Sequence, residues 1–161
     1  MSVENVKAYF KQLHLPGRVV EHEAIGDTVA HAAQLLHCQP AEIAKSMTFL
    51  VHDQPVLIVM AGDAKVDNKK YKHAFATKAK MIPGDEVATI IGHEPGAVCP
   101  FAVKDDVAIY LDDSLKRFET VYTAGGSTNS TIGLSIPELA KYTHFLDWVN
   151  VGKGWQPVAD D

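Results

Sequence analysis

A chain of 161 residues, 47% hydrophobic and 22% charged, is long enough to bury a core without disulfide staples and fits one domain. Its net charge of −5 argues against broad, non-specific nucleic-acid binding, and its apolar runs are too short and too interrupted to cross a bilayer. The only two cysteines, Cys38 and Cys99, form no CxxC pair, which fits a reducing compartment and argues against a disulfide framework or a thiolate zinc site. The opening MSVENVKAYFKQ lacks a continuous apolar region and does not read as a secretory signal, so a cytoplasmic location is expected.

Val3, Val6, Phe10 and Leu13 recur at helical spacing behind Ser2, a suitable N-cap, and Pro16-Gly17 ends the pattern. After an extended RVVEH, a second helix is expected from a Thr28 cap, with Val29, Ala32, Ala33 and Leu36 on its apolar face. PAEIAK, with Pro40 in its first turn, makes a short helical turn leading straight into SMTFLV, so Lys45 falls at a helix-to-strand junction. SMTFLV and VLIVMAG flank HDQP as a hairpin, and the second strand, apolar nearly throughout, is expected to be central.

DNKKYKHAF and PGDEVATII read as helices, and GHEPGAVCPFA, residues 92 to 102, holds too many glycines and prolines for a regular element. VAIYL is a strand, and ETVYTA and STIGL are the two strands of a hairpin joined by AGGSTNS. Ser135 and Glu138 form an S-x-x-E capping box for a last helix. The tail from Phe145 onward has no period; Trp148 and Trp155 are its candidate anchors. Short helices interspersed with hairpins around one sheet make the fold class α+β, with no repeat and no linker.

Eight histidines invite a metal, but no HExxH appears and their spacings match no zinc pattern. Serine hydrolase chemistry lacks its G-x-S-x-G elbow, and neither AGDAK nor TAGGSTN fits a nucleotide loop, so no metal or cofactor is called for. Cys99 has two readings, a thiol nucleophile in a glycine-rich loop or a small buried apolar residue. Six lysines, Lys65, Lys69, Lys70, Lys72, Lys78 and Lys80, face a single acid, Asp67, between positions 65 and 80. They form either a solvated helix face or a local phosphate-contacting patch.

Lys45 at its junction, the loop Gly92-His-Glu-Pro95-Gly96 and the turn Gly125-Gly126-Ser127-Thr128-Asn129 each have an ordinary structural reading when taken singly. In order and spacing, however, IAKSMTFLV, PVLIVMAGDAKVDNKKY, GHEPGAVCPFA and DDSLKRFETVYTAGGSTNSTIGLS resemble the YbaK/ProX family, free-standing relatives of the editing domain of bacterial prolyl-tRNA synthetases. The resemblance covers roughly residues 20 to 145. It implies a single editing domain over residues 1–161, with the N-terminal helix and the Trp-containing tail as additions, and a curved, mixed, largely antiparallel β-sheet closing toward a barrel with helices outside.

It further implies a hydrolase that deacylates mischarged aminoacyl-tRNA, with tRNA(Pro) carrying Ala or Cys as the expected substrate. The family's functional lysine falls on Lys45. Substrate-binding positions fall on Ser46, on Gly92, Pro95 and Gly96, and on Gly125 and Gly126; Ser127 and Asn129 of the same turn are further candidates, as stand-ins for an acidic residue that the family carries nearby and this chain lacks. Lys65, Lys69 and Lys70 are expected to contact the tRNA acceptor end, and prolyl-tRNA synthetase is a further expected partner.

The chemistry asks for such a set, because ester hydrolysis passes through an oxyanion that backbone N–H groups of a glycine loop can approach closely. Two roles are open to Lys45: it stays charged and holds a phosphate or the oxyanion, or it loses its proton on burial and acts on water. A polyanionic substrate favours the first. The chain departs from the family where a Gly-Leu-Asp-Ile-Glu run is usual, Thr131 standing for the carboxylate and Gly133 for the glutamate, which leaves the α-ammonium without its usual partner. The alternative to an enzyme is a noncatalytic module that binds an acceptor end or a synthetase.

Overall fold

The computed structural model describes residues 2 to 155. Its centre is a four-stranded sheet in the order β2-β3-β5-β8, where β2 is Ala44–Val51, β3 Gln54–Ala61, β5 Ala108–Asp112 and β8 Asp147–Val149. Strand β3 runs antiparallel to β2 and parallel to β5, and β8 runs parallel to β5 at the edge.

Sheet geometry sends alternate residues to opposite faces, and both faces of β3 are covered. Leu57, Val59 and Ala61 join a core with Val6, Phe10, Ile91, Phe101 and Leu111, whereas Val56, Ile58 and Met60 pack with Phe49, Tyr71 and Val151. That double burial is why β3 is apolar nearly throughout, as the central position required. The expected HDQP loop is shorter than four residues. Gln54 and Pro55 pair with Val51 and Leu50, leaving a two-residue turn at His52 and Asp53, both with positive φ. A turn of that hand matches the natural twist of the strands it joins.

A second sheet has the order β1-β7-β6, with β1 Val19–Glu21, β6 Thr120–Ala124 and β7 Ser130–Ser135, all antiparallel. One isolated parallel bridge, Ile43 to Tyr122, links its edge to the start of β2. The architecture is mixed α+β, with four antiparallel and two parallel strand pairings. The expected approach to a barrel goes no further than that bridge, and no closed barrel forms among the described residues.

The helices follow their caps. α1 spans Ser2–Gln12 and buries Val6 and Phe10; Ser2, expected as its cap, lies inside the helix, with its Oγ hydrogen-bonded to His93 Nδ1 at 2.9 Å. α2 spans Val29–Leu36, with Thr28 Oγ1 accepting from the His31 N–H. α3 spans Asn68–Phe75 behind an Asp67 cap, α4 spans Gly84–Ile91 behind Pro83, and α5 spans Ile136–Tyr142 behind the expected Ser135–Glu138 capping box.

The tail departs most from its sequence pattern. Asp147–Val149 adds β8 to the main sheet, and Gly152–Lys153 forms β9 against β4, Lys65–Val66. No period announced this, because the pairing partner lies far away in sequence and supplies the order. The buried Asp112 carboxylate closes the joint, accepting from Val151 N at 2.9 Å through Oδ1 and from Ser114 N at 3.0 Å through Oδ2. Trp155 donates from Nε1 to the Gly152 carbonyl, and Trp148 packs on Phe145 beneath the Lys116 ammonium.

Candidate active site

A 3-10 turn over Pro40–Glu42, closed by Ile43 N donating to Pro40 O at 3.1 Å, delivers the chain into β2. Lys45 is the second residue of that strand and pairs across it with Met60, so its backbone is fixed by the main sheet. Its ammonium is fixed as well: Nζ donates to the carbonyl of Ala64 at 2.5 Å and to that of Gly62 at 3.4 Å.

The turn carrying those carbonyls cannot drift. A Cβ on Gly62 would stand 2.1 Å from the Pro40 carbonyl oxygen, so only glycine lets the β3 exit lie against the 3-10 turn. Between the two carbonyls, Asp63 is held by Arg117 through bonds of 3.0 and 2.6 Å. Burial pushes the Lys45 ammonium below the usual lysine range, and the nearby Asp63 carboxylate opposes that shift. Arg117 in turn keeps Asp63 below the usual carboxylate range.

Lys45 lines a cavity of about 400 Å³ between the two sheets, a volume in the range of small-molecule sites. Ala32, Leu36, Ile43, Val87 and Val98 give it an apolar wall; Ser46, Thr48, Thr123, Ser130 and Thr131 supply hydroxyls. The Ser46 hydroxyl is buried and has no hydrogen-bond partner among the described residues. A hydroxyl left without a partner costs about 1–3 kcal/mol.

The other expected site residues divide. Pro95 and Gly96 line the cavity; Gly92 does not, acting instead as the left-handed C-cap of α4 with its N–H on Ala88 O. Gly125, Gly126, Ser127 and Asn129 do not line the cavity either. Gly126, at φ +98°, lies so close to α1 that a Cβ would meet the Ser2 carbonyl oxygen at 2.8 Å, and a Cβ on Gly125 would meet Ser130 Oγ at 2.9 Å. Ser127 Oγ lies 2.8 Å from Asn129 Oδ1 and 2.7 Å from Ser130 Oγ, sharing its one proton between them, and Asn129 Nδ2 donates to the His22 carbonyl. This turn is bonded internally and to the 22–26 segment, whose Gly26 N–H donates to Thr128 O at 2.7 Å.

Thr131, standing where the carboxylate was expected, lines the cavity and is buried, with Oγ1 2.8 Å from His22 Nε2. At Gly133 an added Cβ would lie 3.1 Å from the Tyr122 ring, a tight contact. Among the lysines, Lys65 and Lys69 are exposed, but Lys70 is engaged, its Nζ donating to Gly152 O at 2.8 Å and to Asn150 Oδ1 at 3.3 Å. Cys99 is fully buried and its thiol is pushed up to about 12 by desolvation, which removes the thiolate that a nucleophile requires. Cavity residues the sequence did not single out include Asp27, Met81 and Tyr122. Asp27 in particular carried no motif, since an acid ahead of a helix is an ordinary pattern.

Among the described residues no cluster of three or more His, Cys, Asp or Glu is placed to hold a metal ion, and no helix is long and apolar enough to cross a membrane.

A sequence model described as the aminoacyl-tRNA editing domain matches residues 23–142. The uncharacterized protein YwhH of Bacillus subtilis is 44% identical over 157 residues, covering 97% of this chain and all of that one. A proline–tRNA ligase of Bacillus velezensis is 32% identical over 90 residues, which are 55% of this chain and 16% of the ligase. A solved structure described as a candidate trans-editing enzyme for prolyl tRNA synthetase superposes with a TM-score of 0.84 at 24% identity, over 95% of this chain and 98% of that one; it shares the fold.

Proposed function

The chain belongs to the aminoacyl-tRNA editing domain family, and from that premise we propose that it is a trans-editing hydrolase which deacylates mischarged aminoacyl-tRNA. The substrate we assign is tRNA(Pro) carrying a small wrong amino acid, alanine or cysteine. The observation that carries the proposal is the pairing, on successive residues of β2, of a fixed cation, Lys45, and an unpartnered buried hydroxyl, Ser46, both on one cavity of small-molecule size.

In this mechanism the cavity takes the amino-acid side chain and the scissile ester, while the nucleotide end remains outside. Lys45, kept a donor by its two carbonyl contacts and by the nearby Asp63 charge, holds the terminal phosphate or the developing oxyanion. Ser46 turns its covered, unpartnered hydroxyl to the ester when the substrate binds, and the backbone of Gly96 is open to close approach because it has no Cβ. The attacking water is oriented by substrate hydroxyls, since among the described residues no histidine or cysteine lines the cavity to serve as base.

A separate hydrolytic pocket answers a physical limit of synthetases, for which one methylene is worth only about 1–3 kcal/mol. The apolar wall of Ala32, Leu36 and Val87 then selects by size. Exposed Lys65 and Lys69 are assigned to the acceptor end, where their contribution falls with salt. Lys70 is assigned there only with its second task of holding the C-terminal strand, and prolyl-tRNA synthetase is a proposed partner through the same substrate. A single editing unit over the whole chain, acting in the cytoplasm, completes the proposal.

The test is release of amino acid from purified tRNAs mischarged with Ala, Cys, Ser or Thr. Wild-type protein is expected to release Ala or Cys from tRNA(Pro), and Lys45→Ala to lower that rate at least about a hundredfold, the scale of a lost oxyanion donor, with an unchanged circular dichroism spectrum. Hydrolysis by Lys45→Ala at the wild-type rate removes the catalytic assignment. Inactivity of the wild type on every charged tRNA, with binding retained, gives the noncatalytic module instead.

A further inference from the structure

Among the described residues that line the cavity only two are charged, Lys45 and Asp27. One fixed cation and one carboxylate on a single apolar-walled cavity describe a ligand with both an anionic and a cationic end. An aminoacyl ester of a nucleotide is such a ligand, because its α-amino group is largely a cation at neutral pH while its phosphate is an anion.

Asp27 is held in place without being used up. Gly26 N on its N-terminal side donates to Thr128 O at 2.7 Å, and Thr128 Oγ1 does not enter that bond. Farther back, His22 N donates to Asn129 O at 2.7 Å and Asn129 Nδ2 returns a bond to His22 O at 2.9 Å. On its C-terminal side Thr28 caps α2. The carboxylate accepts from His31 Nδ1 at 3.1 Å through Oδ1 and takes a backbone hydrogen bond at Asp27 itself, no second side chain among the described residues bonds it, and the side chain is 43% exposed. A Cβ built on Gly96 would stand 3.4 Å from the Asp27 Cβ, so the carboxylate-bearing residue abuts the cavity-lining end of the glycine-proline loop.

Thr131 cannot supply this charge. It is neutral, and its hydroxyl is already bonded to His22. We infer that Asp27 is a specificity-determining residue that receives the α-ammonium of the aminoacyl group, so that the site distinguishes a free aminoacyl ester from one whose amine is acylated. The inference rests on the deacylase reading for the identity of the ligand, and it assigns the AGGSTN turn a positioning task. The turn acts on the substrate through the 22–27 segment that it ties down.

Two probes separate this inference from the hydrolytic reading. The first is alanyl-tRNA with its amine free or acetylated, followed by release of the amino acid. The second is a non-hydrolysable alanyl-adenosine with a 3′-amide link, again free or acetylated, followed by calorimetry. For the wild type the free amine is expected to be favoured about tenfold to a hundredfold in kcat/KM and in Kd, the worth of one charge-assisted hydrogen bond.

In Asp27→Asn the ratio of free to acetylated falls to about one in both assays, with the circular dichroism spectrum serving as the check on folding. If Asp27→Asn keeps the wild-type ratio, or the wild type binds both forms alike or binds neither, the inference is overturned. If the wild type releases no amino acid from tRNA yet prefers the free amine in the amide probe, the hydrolytic reading fails while Asp27 keeps its assignment.

Discussion

Two glycine-containing loops with the same outward look, GHEPG and AGGSTN, do different work. The first puts Pro95 and Gly96 on the cavity, whereas the second turns its glycines toward α1 and β7 and its polar side chains toward one another and His22. Glycine at a turn reports that a backbone must bend or come close to something, and that something can be substrate or simply another part of the chain. What an added Cβ would meet within 3 Å separates the two cases: for Gly126 it is the backbone of Ser2 and Val3, while for Gly96 the nearest atom of another segment among the described residues is 3.4 Å away.

The contrast is broken most directly at Gly126. Gly126→Ala forces a methyl to 2.8 Å from a carbonyl oxygen at φ +98°, and it is expected to destabilise the fold by about 3 kcal/mol, read as a fall of about 10 °C in melting temperature. Its rate loss is expected to follow unfolding and to vanish when assayed well below the new midpoint. Rates that stay low in the fully folded variant would move AGGSTN into the site.

Gly96→Ala should show the opposite balance. At φ +84° with nothing closer than 3.4 Å, it costs about 1 kcal/mol of stability, while deacylation falls about tenfold because the new methyl borders Asp27 and the cavity. Equal losses in both measurements would make the two loops alike.

The smallest effect lies away from both loops, at the joint that carries β7 into α5. Arg18 holds Glu138 through bonds of 2.9 and 3.0 Å and, with the Ser135 backbone, depresses its carboxyl to about 2. A depressed acid stabilises the fold fully above its ordinary pKa, near 4.5, and that contribution is lost as the pH falls toward 2. Carboxyl titration by NMR is expected to place the Glu138 midpoint near 2 in the wild type and back toward its ordinary value in Arg18→Ala. An unshifted midpoint in the variant would show that the Ser135 cap alone sets it.

Local chemistry was legible wherever one short segment decides its own shape. The Thr28 cap, the Pro40 turn, the Ser135–Glu138 capping box and the apolar central strand all rest on neighbours within a few residues or on a period of two. The tail was illegible for the converse reason, since β8 and β9 take their order from Tyr110–Asp112 and Lys65–Val66, far away in the chain. For the site, IAKS and GHEPG could be picked out by type and order, but Asp27 could not. A carboxylate before a helix says nothing of a cavity until the fold ties its segment to the 125–130 turn and sets it on the cavity wall.

The sequence by itself determined the α+β class, the central hairpin and the placing of a cation at the entrance to a core strand, because periodicity, caps and turn residues act over a few positions. Tertiary structure alone decided which loop faces the cavity, that Lys45 is held by two carbonyls of a distant turn, and that Asp27 shares its cavity. Those facts depend on distances between segments that only packing brings together.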